Sequence, residues 1–256
     1  MTTETRKVAL VTGSAKRIGR AIALALAQRG WDVVVHYNRS ADEAQATVRE
    51  IEALGRRAVA VACELAHEKS VKALLPHAAQ AIGASISCVV NNASLFDHDS
   101  TSDFSVARLD AHMHANLAAP LLLAQALYAA TPDGAQSVVV NLLDQKLFNL
   151  NPDFLSYTLS KAALQAATTM LAQALAPKVR VVGVAPGITL VSGNQTAEGF
   201  AKAHTQTPLG RSSAPDDVAS AVCFVAENPA ITGTTLLVDG GQHLIPLQRD
   251  VMFIAQ

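Results

Sequence analysis

Seven short runs rich in Val, Leu and Ile recur along the chain, each pair separated by enough residues for a helix. KVALVTG, DVVVHY, RAVAVACE, SISCVVNNAS, SVVVNLLD, VRVVGVAPG and TTLLVDGG have the length and β-branched content of strands. Their apolar residues are consecutive and do not alternate with polar ones, the pattern of parallel strands covered on both faces. The intervening segments follow a helical period. In SADEAQATVREIEALG, Ala44, Val48, Ile51 and Leu54 fall on one stripe, and Ser40 with Glu43 has capping-box spacing. This alternation predicts an α/β fold of the single-domain Rossmann type over residues 1–256: a doubly wound parallel sheet of about seven strands with helices on both faces. No repeat or Pro/Gly/Ser-rich linker divides the chain. The longest irregular stretch, residues 187–215, is expected to be a substrate-binding loop or lid.

Composition narrows the class. Half of the 256 residues are hydrophobic and the formal net charge is -1, so a large core is available and nothing draws the protein to nucleic acid or an anionic membrane. Cys63, Cys88 and Cys223 are scattered, without a Cys-x-x-Cys, and read as reduced thiols of a cytoplasmic protein. MTTETRKVALVTG lacks the apolar stretch of a signal peptide, and LAAPLLLAQALYAA is too short to span a bilayer. None of the eight histidines has metal-ligand spacing, and no metal is expected.

The first strand runs into VTGSAKRIGRAIALALAQRG, where Gly13 and Gly19 allow a tight turn and a close approach of backbone to a pyrophosphate at the helix start. An NAD site calls for an acidic residue at the end of the second strand to hold the ribose 2′-hydroxyl. Here that strand ends in His36, Tyr37, Asn38, Arg39 and Ser40, and Asp32 sits at its other end. Arg17 in the glycine loop, Arg39 and Ser40 together suit a 2′-phosphate, which guanidinium binds in a bidentate fork. NADPH is therefore the expected cofactor. Farther on, Tyr157 and Lys161 stand four apart, with Asp144 thirteen residues before the tyrosine.

TGSAKRIG, NNAS (residues 91–94), Asn116 in HANLAAP, YTLSK (157–161), Pro186-Gly187 and TGTTLLVDGG follow one another in that order. The chain resembles the short-chain dehydrogenases/reductases across nearly its whole length. That resemblance implies that Tyr157 is the proton donor. Lys161 would lower the tyrosine pKa and hold the nicotinamide ribose, and Asn116 would order a water leading to the lysine. It adds Ile18, Asn92, Ala93, Ser94, Pro186, Gly187 and Ile188 to the cofactor set, and places Glu64 or the Leu65 backbone at the adenine. It also implies a homotetramer paired through the helix at 117–130 and the one after Lys161. The apolar tail HLIPLQRDVMFIAQ is expected to pack on a neighbouring subunit.

A narrower likeness lies in KRIG with HYNRS, in NNAS followed by Phe96, and in Asp144 where most of the family has serine. In these places the chain is similar to pteridine reductases, which implies a pterin-like substrate. The chemistry agrees. Ketone reduction develops an oxyanion, which a carboxylate repels, whereas reduction of a ring C=N needs a proton at nitrogen. An Asp144/Tyr157 pair can relay that proton. Phe96 would stack on the flat ring, and Ser94 would reach either a cofactor phosphate or the polar edge of the pterin. Two other functions compete: a short-chain carbonyl reductase in which Asp144 has drifted, and an NADP-binding sensor without catalysis.

Overall fold

The computed structural model of the protein describes residues 6–191 and 195–254. Seven parallel strands form one sheet in the order β3-β2-β1-β4-β5-β6-β7. In chain order these are β1 (Val8–Val11), β2 (Asp32–Tyr37), β3 (Ala58–Ala62), β4 (Cys88–Asn91), β5 (Ser137–Leu142), β6 (Val179–Pro186) and β7 (Thr235–Val238). The consecutive apolar runs behave as expected: β1, β4, β5 and β6 are buried along their full length. The edge strands β3 and β7 are only partly covered, because each has a neighbour on one side alone.

Side chains alternate across the sheet with period two and feed two cores. Ala9, Val11, Val33 and Val35 pack under α1 (Arg17–Gln28), α2 (Ala41–Ala53) and α8 (Pro215–Glu227) through Ile22, Leu26, Ile51, Val218 and Val222. Val8, Leu10, Val34, Val89 and Val181 face α3 (Glu68–Ile82), α5 (Ala119–Ala130) and α6 (Leu155–Leu175) through Leu74, Leu75, Leu123, Leu127 and Ala172. Between β4 and α5 lie α4 (Val106–Met113) and a π-helical turn, His114–Ala118. Among the described residues no helix is long and apolar enough to cross a membrane.

Three local expectations change. In α2, Ala44, Val48 and Ile51 are buried as predicted, but Leu54 is exposed because the helix has ended there. Ser40 makes no side-chain cap, and Glu43 instead faces Lys16 at 3.8 Å. The long irregular stretch contains a helix, α7 (Ala197–Thr205). Thr196 caps it by accepting from Gly199 N–H at 3.0 Å, and its buried Ala203 meets Ile188, Leu247 and Val251. Gly199 in the first turn hid the helical pattern. Residues 192–194 of that stretch lie outside the described residues.

Candidate active site

Parallel strands present their carboxyl ends together, and the chain order reverses direction between β1 and β4, which opens a crevice there. The loops after β1, β4, β5 and β6 meet around a cleft of about 230 Å³. Arg17, Asn92, Ser94, Phe96, Asp144, Tyr157, Lys161, Gly187 and Ile188 all line it, so residues spread over more than two-thirds of the sequence share one wall.

The glycine loop is built for close approach. Gly13 has φ +62°, and a Cβ on Gly19 would stand 2.3 Å from the Gly13 carbonyl and 2.5 Å from Asn92 Nδ2. Asn92 Nδ2 donates to the carbonyls of Thr12 (2.8 Å) and Gly13 (3.2 Å), while the backbone N–H groups of Asn92 and Ala93 donate to Thr12 Oγ1. Asn92 and Ala93 thus hold the loop's shape. Lys16, at the N-cap of α1, supplies no capping side chain, so the first-turn N–H groups of that helix are left for another acceptor.

The His36 side chain is bonded to this loop. It is buried, its Nδ1 accepts from Gly13 N–H at 2.9 Å, and its Nε2 lies 3.0 Å from the Cys63 carbonyl. Accepting at Nδ1 leaves Nε2 protonated, which makes the second contact a donation. Burial lowers its pKa from 6.5 to about 4. Between those values the unfolded chain binds the proton and the folded one does not. Stability is therefore lost as pH falls from 6.5 towards 4, by about 3 kcal/mol over that window. Urea midpoints are expected to drop across this range, and the drop should be shallower in His36→Gln. An equal slope in the variant would reject the assignment.

The rest of the second-strand group divides. Tyr37 packs partly against the α1/α2 core. Asn38 Nδ2 donates to Glu64 Oε2 at 2.6 Å, and Glu64 also accepts from Ala66 N–H. Leu65 is buried in the opposite core. The two arginines are drawn to different partners: Arg17 Nη2 donates to the Val191 carbonyl at 2.9 Å, while Arg39 lends its charge to Glu64. Asp32 is tied to Arg6, Arg56 and Arg57 N–H at the far end of β2, well away from this group.

At the opposite end of the cleft, Tyr157 O–H donates to Asp144 Oδ2 at 2.8 Å. Asp144 Oδ1 accepts from Lys146 N–H at 2.8 Å and caps the 3₁₀ turn Gln145–Phe148. One oxygen shapes the turn and the other meets the phenol. Desolvation raises the Asp144 pKa, with the Lys146 N–H and the Tyr157 hydroxyl offsetting part of the rise. The Tyr157 pKa is pushed well above 10 by burial and by the neighbouring Asp144 charge. This reverses the expected lowering by Lys161. The lysine's Nζ donates to the Leu142 carbonyl at 2.7 Å and lies 5.8 Å from the centre of the phenol ring, so the charge nearest the hydroxyl is negative. Burial lowers Lys161 itself to about 8.

The Asn116 side chain is bonded into the scaffold. It sits in the π turn, fully buried, with Oδ1 accepting from Leu95 N–H (2.8 Å) and Ser94 Oγ (3.2 Å). Its Nδ2 donates to the Leu95 carbonyl (2.9 Å) and Ser160 Oγ (3.0 Å). The side chain clamps the Ser94–Leu95 segment against α6. Phe96 presents an exposed ring at the cleft rim, stacked on Phe154 (centroids 4.4 Å, 12°) and edge-on to Tyr157 (4.7 Å). Across the cleft, Pro186 closes β6 and the Gly187 N–H donates to the Val238 carbonyl. The Ile188 N–H is taken by Gln242 Oε1 at 3.0 Å.

Sequence reasoning missed Asp99, Lys146, Gln242 and Asp250. Asp99 is fully buried and accepts from the N–H (2.9 Å) and the hydroxyl of Ser156. It thereby caps α6 one residue before Tyr157, since Phe154 at that helix's N-cap offers no capping side chain. Lys146 stands two residues after Asp144 in sequence and could have been found there. The other three carry no spacing signal, because they reach the site across long stretches of chain.

The C-terminal tail supplies part of the cleft wall. Its described part folds onto its own chain, with Asp250, Val251 and Met252 on the cleft wall. Arg249 forks onto Asp153, a pairing 96 positions apart that no local pattern encodes.

Known proteins match both the fold and the motifs. The profile of the family described as enoyl-(acyl carrier protein) reductase matches residues 13–243. A 3-oxoacyl-[acyl-carrier-protein] reductase from Synechocystis is 34% identical over 247 residues, covering 94% of this chain and 98% of that protein. The crystal structure of FolM alternative dihydrofolate reductase 1 from Brucella canis, complexed with NADP, superposes with a TM-score of 0.90. It shares 42% identity and covers 95% of this chain and 96% of its own. The promiscuous reductase LugOII, which catalyses a keto-reduction in lugdunomycin biosynthesis, aligns with a TM-score of 0.84 at 34% identity, over 94% of this chain and 99% of its own. By sheet order, glycine loop, Tyr157/Lys161 pair and these relatives, the chain belongs to the short-chain dehydrogenase/reductase family.

Proposed function

We propose that the protein is an NADPH-dependent reductase of a pteridine, a dihydropterin or dihydrofolate-like ring. The observation that carries this reading is the 2.8 Å hydrogen bond to a partly desolvated Asp144 from Tyr157, whose ring meets Phe96 edge-on. The glycine cradle and the uncapped start of α1 fit a dinucleotide diphosphate. Ser40, free of any capping bond, and Arg39 would hold the 2′-phosphate, while Lys161 would hold the nicotinamide ribose. When bound, the nicotinamide supplies hydride to a ring carbon.

The protein's own groups then handle the proton. Tyr157 gives the proton on its oxygen to the adjacent ring nitrogen, and a protonated Asp144 returns one through the same hydrogen bond. A raised Asp144 pKa makes that protonated form accessible. Phe96 would cover the flat ring. Gln195 supports a polar heterocycle as well: both its amide atoms are buried on the cleft wall without a hydrogen-bond partner. Such an amide matches a ring edge that carries a donor beside an acceptor. Residues 187–215 would form the substrate-facing wall through Thr189, Leu190 and Gln195. The exposed Leu159 and Met170 on α6 support assembly with further copies of the chain.

Carbonyl reduction is the second reading, favoured by the keto-reducing relatives. Following NADPH absorbance with dihydrobiopterin, dihydromonapterin, dihydrofolate and a small ketone set separates the two. Turnover confined to ketones would reject the pteridine reading.

A further inference from the structure

Two charged side chains beside Asp144 have no part in the proton path described above. Lys146 is buried, and its Nζ donates to the Asp153 carbonyl at 2.6 Å and to Asp250 Oδ2 at 3.1 Å. Asp250 comes from the tail, 104 positions along the chain, and its side chain is 17% exposed on the cleft wall. The residues around it are tied down repeatedly. Arg249 Nε and Nη2 each donate to the Asp153 carboxylate at 2.8 Å, and Asp250 N–H donates to Asp153 Oδ2 at 2.7 Å. Phe253 lies over Phe154 (centroids 6.0 Å, 28°), the ring on which Phe96 stacks. Val251 packs with Ala203, Ile188 and Leu247. The tail is therefore joined to the segment bearing Asp144, to the aromatic rim of the cleft and to the wall that follows β6.

We propose that Lys146 and Asp250 form a charged clasp through which the C-terminal segment positions the Asp144–Tyr157 pair and governs how firmly that pair holds its proton. Both are positioning residues, since neither contacts the phenol oxygen. A backbone N–H at position 146 is enough to shape the turn at Asp144, and any residue but proline would supply it. Burying an ammonium there is unfavourable unless it is paired, so the partner from the tail is part of the arrangement. The two charges act on Asp144 in opposite senses, Asp250 raising its pKa and Lys146 lowering it. Among the described residues that line the cleft, three other charged or titratable groups remain. Tyr157 donates to it from α6, and Lys161 stands beyond with its ammonium on Leu142. Arg17 of α1 lines the same cleft with its guanidinium on Val191.

The clasp itself is independent of the substrate. Only its kinetic consequence rests on the pteridine reading. The test is a carboxyl ¹³C titration of Asp144 in the full chain, with the signal assigned by its loss in Asp144→Asn. Asp250→Asn should move the midpoint down by about half a pH unit or more, Lys146→Met should move it up by a similar amount, and the double variant should fall between. Lys146→Arg should restore the wild-type midpoint. The pH profile of kcat with dihydrobiopterin should shift in the same opposite directions. A merely structural role predicts lower kcat in both single variants with midpoints that stay put or move together, and that result overturns the clasp. If Lys146→Met fails to fold, Asp250→Asn and the double variant decide alone: an unmoved midpoint in Asp250→Asn rejects the proposal. If the wild-type protein leaves dihydrobiopterin untouched, the pteridine reading fails while the titration still settles the clasp.

Discussion

Tyr157→Phe should lower kcat for reduction of the ring substrate by about 10²–10⁴-fold, the usual contribution of a positioned proton donor. The phenyl ring fills the same volume, so packing against Phe96 at 4.7 Å is kept and the backbone of α6 need not move. What is lost is the hydroxyl that donates to Asp144 Oδ2. That oxygen then faces a buried apolar edge, which costs about 1–3 kcal/mol if the carboxyl stays charged and favours its protonation. NADPH affinity, read by quenching of protein fluorescence, should stay within about threefold, since this fold of α/β sheet binds nucleotide mainly through the loop after β1. Should the variant retain more than about a tenth of wild-type kcat, Tyr157 is not the proton donor.

Asp144→Ser separates the two candidate chemistries. A serine hydroxyl can still accept from Lys146 N–H and cap the 3₁₀ turn, so local structure should survive the change. The carboxyl that would return a proton to Tyr157 is gone. Pterin turnover should fall by about 10²-fold. The negative charge that raises the tyrosine pKa is removed as well. The basic limb of the pH–rate profile should therefore move to lower pH, because the phenol of the variant loses its proton more readily than that of the wild type. If Asp144 is a drifted position in a carbonyl reductase, the outcome inverts: the neutral hydroxyl stabilises an oxyanion and ketone turnover rises. Measuring kcat on dihydrobiopterin and on the ketone set in the same preparation distinguishes these results.

Much of the site could be read directly from the chain because its signals are local. The glycine loop needs residues within seven positions of one another, Gly13 to Gly19, and the Tyr157/Lys161 pair needs a single helical turn. Asp144 was readable because β5 and the start of α6 lie close in sequence and the turn between them is short. Helix α7 was not, since Gly199 interrupts its pattern and its apolar partners, Leu247 and Val251, are in the tail. The hydrogen-bond partners of His36 and Asn116 were not legible in the sequence, for a shared reason. Position beside a motif places a side chain in the neighbourhood of the site, while burial and hydrogen-bond partners decide whether it faces the ligand or the scaffold. His36 turns to Gly13 and Asn116 to Leu95.

The order of apolar runs and helical stripes determined the doubly wound sheet, since parallel strands covered on both faces admit few other arrangements. It also placed the loops after β1, β4, β5 and β6 together at the carboxyl ends of the strands. Tertiary structure alone decided the electrostatics within the cleft. The charges that set the Asp144–Tyr157 pair arrive from residues as far apart as Lys146 and Asp250. Desolvation, which dominates the shifts of Asp144, Tyr157 and Lys161, exists only once the chain has closed around them.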